Sequence, residues 1–206
     1  MKYLLAALFG FVTSFGATAQ GLAPDALVKS VTNDVLEIVR KDKDIQAGNT
    51  RKAVELAEAK VLPHFDFAHM TRLAVGKAWR QASPAQQKAL TDEFRTLLVR
   101  TYSKALTEYR NQAIDFKPVK MQPADTDVVV RTLVQQPGNK PVEIDYSLDK
   151  TDQGWKVYDI SVAAVSLVTN YRSSFTQEIS AGGIDGLIGT LHAKNSGGEA
   201  AVASKQ

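Results

Sequence analysis

An apolar stripe runs through Ser83–Arg110, SPAQQKALTDEFRTLLVRTYSKALTEYR, and whatever this chain folds into must cover it. Ser83 can cap a helix, Pro84 suits its first position, and Gln86 completes a capping box. Leu90, Phe94, Leu97, Leu98, Tyr102, Ala105, Leu106 and Tyr109 then recur at three- and four-residue steps, which gathers them on one side of a helix. Arg95, Arg100, Lys104, Glu108 and Arg110 fall mainly on the other side. About 26 helical residues, at 1.5 Å rise each, would span roughly 39 Å. A stripe of that length needs the chain's own sheet or a bound apolar ligand against it.

The first 19 residues read as a signal peptide. Lys2 gives a short basic start, Leu4 to Phe15 is an apolar run too short to cross a membrane, and Ala17-Thr18-Ala19 marks cleavage before Gln20. An exported chain is therefore expected, with enough residues left for one domain with its own core. The sequence has 25 basic and 22 acidic residues, interspersed and nearly balanced, which argues against a nucleic-acid partner. It has no cysteine, so there is no lipidation site at the cleavage point, and packing alone must hold the fold.

Along the mature chain, Leu27, Val31, Val35, Ile38 and Val39 predict an amphipathic helix over Pro24–Lys41. Asn49 or Thr50 caps a second, stopped by Pro63. Asp66 caps a third that carries Phe67, Met70 and Leu73 and ends at Gly76. After Arg110 the period changes to two. Ile114 to Met121 reads as an edge strand containing Pro118, and Asp127 to Gln136 as a strand with valines on both faces. Val142, Ile144, Tyr146 and Leu148 then alternate with Glu143, Asp145, Ser147 and Asp149, and Trp155 to Val162 follows a Gly154 turn. Short connections favour an antiparallel meander. A helix resumes near Ser166, breaks at Gly182-Gly183, and gives way to an expected disordered tail over residues 194–206. The fold class is α+β, with helices packed on one face of the sheet and one domain over residues 20–193.

Little catalytic chemistry is spelled out. His64, Asp66 and His69 make H-x-D-x-x-H, but zinc usually takes three or four side chains, and Asp66 is better used as a helix cap, so no metal is expected. No serine sits in G-x-S-x-G, and the glycines at 182, 183, 186 and 189 lack the lysine of a phosphate loop. Tyr102 or Tyr146 with Asp159 could carry out proton transfer in an apolar cavity, or simply lie at a core margin. The surplus of apolar faces fits a solid core and a lined cavity equally.

Two stretches carry a resemblance. LPHFDFAHMTRLAVGKAWRQASPAQQKALTDEF (Leu62–Phe94) and WKVYDISVAAVSLVTNYRSSF (Trp155–Phe175) resemble the MlaC family, the toluene-tolerance auxiliary proteins of Gram-negative envelopes. The matched pieces are P-x-F-D-F, Gly76-x-x-Trp79-Arg80, Trp155-x-Val157-x-Asp159, Val165-Ser166-Leu167 and the GIDGLIGTL ending. One departure is Ala163-Ala164, where relatives commonly carry Glu-Gly.

The resemblance implies an NTF2-like cone with an internal apolar cavity. It also implies a periplasmic, monomeric phospholipid carrier that works between an outer-membrane lipoprotein complex and an inner-membrane ABC transporter with an MCE ring. Neither cofactor nor catalysis is implied. Joined to the apolar faces above, this makes Phe67, Met70, Leu73, Trp79, Phe94, Leu98, Tyr102, Val130, Ile144, Tyr146, Ile160, Val165, Val168 and Tyr171 the residues expected to meet lipid. Val165 is expected at the cavity mouth.

Overall fold

The computed structural model describes residues 21–203, so the expected signal peptide lies outside the described residues. Helix α1 (Pro24–Lys41) opens on proline and runs into Asp42, whose carboxylate accepts from the N–H groups of Asp44 and Ile45 to start the single turn α2 (Lys43–Gln46). Asn49 caps α3 (Thr50–Lys60), and Asp66 caps α4 (Phe67–Val75) by accepting the His69 N–H at 2.8 Å. Gly76 ends α4 at φ 66°, a backbone region that costs a side-chain-bearing residue more than glycine. Short 3₁₀ turns at Leu62–His64 and Gly76–Gln81 flank α4.

The long stripe forms two helices rather than one. α5 (Pro84–Tyr102) starts with the full capping box, Ser83 and Gln86 exchanging bonds of 3.3 and 2.9 Å. At Ser103 the helix tightens, Leu106 donating to the Ser103 carbonyl three residues back, and α6 (Lys104–Glu108) ends as Tyr109 turns extended. The Arg110 guanidinium takes up the freed Thr107 and Tyr109 carbonyls. The chain is thus turned toward the sheet a residue or two before the expected end.

Strands β1 (Ile114–Phe116), β2 (Asp127–Val134), β3 (Val142–Thr151), β4 (Gly154–Val162) and β5 (Val165–Ser166) form an open, curved antiparallel meander in sequence order. β1 stops before Pro118, which has no N–H for a ladder. In β2, Val128, Val130 and Thr132 are buried while Val129 and Leu133 are half-buried, so the strand is covered mainly on one face and not on both. β3 and β4 keep register from Thr151↔Gly154 to Leu148↔Val157, then resume at Ser147↔Asp159. Tyr158 is left without a partner, which is a β-bulge.

α7 (Leu167–Ala203) kinks at Gly183 (φ 68°, ψ −169°), as the glycine pair predicts. Its helix continues through residues 194–203, where the sequence predicts a disordered tail. Tertiary bonds explain the difference. Asn195 is buried, donates to the Glu93 carboxylate at 2.6 Å, and receives the Arg100 guanidinium on its carbonyl.

Three apolar clusters hold the domain. Met70, Leu90, Phe94, Phe175, Leu187 and Leu191 join α4, α5 and α7. Val28 of α1 packs on Val128, Val130, Leu148, Trp155 and Val157 of the sheet. Val35, Val39, Ile45 and Leu56 join α1, α2 and α3.

Candidate functional site

A cavity of about 410 Å³ opens where the three clusters meet. One wall is the sheet, through Ile114, Ile144, Tyr146, Val157, Ile160 and Val162. Ile144 faces Val162 and Tyr146 faces Ile160 across the β3–β4 ladder, so alternation along both strands points one shared face inward. The opposite wall is α1, through Leu27, Val28, Val31, Val35 and Leu36. Val61, Leu62, His64 and Phe65 close one side, positioned by the Asp66 N–H donating to the Val157 carbonyl at 2.9 Å. Leu98, Val99, Tyr102, Ala105 and Leu106 bring α5 and α6 to the other.

Among the described residues, no aspartate, glutamate, lysine or arginine lines this cavity; its polar members are Thr32, His64, Tyr102, Ser103 and Tyr146. Burial raises the Tyr146 hydroxyl above its ordinary pKa, so it stays neutral. Tyr102 is raised by burial, with Tyr171 beside it adding to the shift. His64 is lowered, first by burial and then by the Lys156 charge. At neutral pH all three present uncharged groups. Tyr102, Ala105 and Val162 are exposed, which places an opening between the α5–α6 corner and the end of β4.

Of the fourteen residues expected to meet lipid, seven line the cavity: Phe67, Met70, Leu98, Tyr102, Ile144, Tyr146 and Ile160. The other seven do not. Phe94 is fully buried, its ring edge-on to Tyr171 and Phe175 at 5.0 and 5.1 Å, so the first half of α5 builds core and only the second half meets the cavity. Leu73, Trp79, Val168 and Tyr171 belong to that same helical core. At 100° per residue Leu73 is turned about 120° from Phe67 on α4, which takes it off the cavity side. Val130 is buried between the sheet and α1. Val165 is 57% exposed at the outer end of β5, opposite the cavity residue Val162 and two residues before Leu167, which also lines the cavity. It therefore stands at the rim rather than on the wall.

The contribution of α1 is what the sequence reading missed. Its Leu27–Val31–Val35 stripe was legible, but a stripe does not name the surface it covers.

The tyrosine–acid reading loses its acid. Strict alternation from Val157 would put Asp159 on the cavity face, but the bulge at Tyr158 turns it to the face of Ser147. There the Asp159 carboxylate accepts from Ser166 Oγ at 2.5 Å and the Val168 N–H at 3.1 Å, fixing the start of α7. Tyr158 donates instead to Asp127 at 2.7 Å; burial and that bond push its pKa up to about 12. His64 and His69 part company as well, since His64 lines the cavity while His69 Nδ1 sits 2.9 Å from Asp149 Oδ2 on β3.

Comparison with known proteins agrees with this architecture. The chain is similar, at 40% identity and a TM-score of 0.79, to the phospholipid-binding protein from Ralstonia solanacearum, whose structure was solved in complex with a phospholipid; the match covers 85% of this chain and 98% of that one. It is 23% identical over 171 residues to the toluene tolerance protein ttg2D of Pseudomonas putida, covering 82% of this chain and 78% of the relative. It is also 26% identical over 131 residues to the intermembrane phospholipid transport system binding protein MlaC of Haemophilus influenzae, covering 62% of this chain and 61% of the relative. The family model described as MlaC protein matches residues 29–193, nearly the whole span from α1 to α7 that encloses the cavity, and the chain therefore belongs to the MlaC family.

Proposed function

We propose that this chain is a periplasmic phospholipid carrier that holds acyl chains in the cavity and leaves the head group in water. It would shuttle lipid between an outer-membrane lipoprotein complex and an inner-membrane ABC transporter with an MCE ring, and so maintain outer-membrane lipid asymmetry. The observation that carries this reading is a cavity of about 410 Å³ with no charged side chain on its walls, in a chain 40% identical to a protein solved with phospholipid bound.

The energetics explain why such a protein is needed. Exposing about 30 methylenes of a two-chain lipid to water costs roughly 24 kcal/mol at about 0.8 kcal/mol each, so unassisted transit between membranes is prohibitively slow. An interior as apolar as a bilayer brings net transfer near zero and keeps it reversible. A charged head group left outside needs no buried partner, in keeping with the uncharged walls.

Binding without catalysis is the function these walls support. Asp159 is occupied in capping α7, and neither Tyr102 nor Tyr146 has an acid beside it in the cavity. No cofactor is needed for the reading, and a monomer suffices.

Transfer of a fluorescent phospholipid between donor and acceptor vesicles tests it. Catalytic amounts of the mature protein should raise the transfer rate in proportion to protein concentration. Transfer at the protein-free rate would overturn the reading.

A further inference from the structure

We propose that Asp66, His69 and Asp149 form a divalent transition-metal site that pins the start of α4 to β3. The proposal does not rest on the lipid reading. H-x-D-x-x-H alone is an incomplete ligand set, and the fold supplies the third donor from a strand 80 residues away.

One donor atom from each of the three side chains lies within 4.8 Å of the others, and His69 Nδ1 is 2.9 Å from Asp149 Oδ2. A tetrahedral ion with bonds of about 2.0–2.2 Å holds its ligand atoms about 3.3–3.6 Å apart, so only small side-chain movements would close the shell. Asp66 caps α4 with Oδ1, which leaves Oδ2 for a ligand. Tyr158 stacks on the His69 ring at 4.4 Å and fixes the direction of its nitrogens.

Asp149 Oδ1 is shut off from solvent and has no hydrogen-bond partner, a costly state that a bound cation would relieve. Asp127 stands directly opposite Asp149 in the β2–β3 ladder, where like charges repel. Among the described residues, no lysine or arginine comes within 4 Å of the Asp66, Asp127 or Asp149 carboxylates. Lys156 opposes Asp149 from β4 but places its Nζ on the Pro63 carbonyl at 2.7 Å. The imidazole thus meets Asp149 alone, while Asp66 accepts the His69 backbone N–H and Asp127 the Tyr158 hydroxyl, so no cation within the described residues offsets the three carboxylates. A nitrogen donor beside carboxylate oxygens suits zinc and its neighbours better than calcium or magnesium.

Isothermal titration of zinc chloride into chelator-treated mature protein, purified without a histidine tag, tests the site. One zinc per chain is expected, with affinity at least about tenfold weaker in Asp149→Asn and His69→Gln, and unchanged in His192→Gln. Cobalt(II) should give visible absorption bands of a four- or five-coordinate ion in the wild type, and none in Asp149→Asn. Circular dichroism checks the fold, and Asp149→Asn, the milder change, decides the matter. Loss of binding in that variant supports the site. Unchanged binding, or no saturable zinc uptake by the wild type, overturns it and leaves a histidine–aspartate pair only.

Discussion

Ile144 stands directly opposite Val162 in the β3–β4 ladder, and both side chains line the cavity. The pair lies at the end where Val162 reaches solvent, so a charge at Ile144 meets incoming acyl chains before most of the wall does. Ile144→Asp should fold, because the position is half-buried and near the opening, yet lose bound lipid. A carboxylate left unpaired against acyl chains costs several kcal/mol, enough to lower occupancy at least about a hundredfold. Lipid retained at wild-type stoichiometry would place the acyl chains elsewhere.

Val165 calls for a separate test. It is exposed on the outer side of the Val162↔Val165 pair, so Val165→Glu should leave the circular dichroism spectrum and melting temperature nearly unchanged. Transfer to membrane complexes should slow if this rim is desolvated on docking. Lipid content of the isolated protein should stay at the wild-type level, which separates docking from holding.

The β4–β5 turn makes a prediction about stability. Ala163 and Ala164 sit at φ 48° and 65°, a two-residue type I′ arrangement that favours asparagine and glycine. An L-residue with a β-carbon pays roughly 1–2 kcal/mol to adopt the left-handed region. Ala164→Gly should therefore stabilise the fold by about 1 kcal/mol, offset partly by greater freedom of the unfolded chain, and raise the melting temperature by about 2–4 °C. A lower melting temperature would show that the turn is relaxed as it stands.

His64 gives the protein a pH dependence. Burial and Lys156 hold its folded pKa below the ordinary histidine value, so the unfolded chain takes up the proton first as pH falls. That contribution is complete above about pH 6.5 and is lost as pH falls from there through the folded pKa. The wild-type melting temperature should therefore fall relative to that of His64→Gln as pH drops below about 6.5. A constant difference across that range would show that the imidazole does not titrate with folding.

Much of the fold could be read locally because its signals are local. Asp66 and Ser83 cap the helices they precede, Gly76 and Gly183 end or kink theirs, and the alternation through Val142–Leu148 gives β3 and its inward face. The misreadings arise where tertiary contacts decide. The bulge at Tyr158 needs β3 as a reference, and it changes the face on which Asp159 lies. Phe94 and Leu98 share one stripe, yet α7 claims the first and the cavity the second. Nothing near His69 in sequence announces Asp149, and nothing near Asn195 announces Glu93. Half of the expected lipid-facing residues line the cavity for the same reason: periodicity shows that a face is apolar, but not what lies against it.

A phospholipid held in this cavity by its acyl chains should stay with the protein through purification. Native mass spectrometry of the purified mature protein, followed by solvent extraction and lipid identification, tests it most directly. The account predicts a bound population heavier than the bare chain by the mass of a phospholipid, which extraction removes and Ile144→Asp lacks. A wild-type spectrum showing only the bare chain, with no phospholipid in the extract, would contradict it.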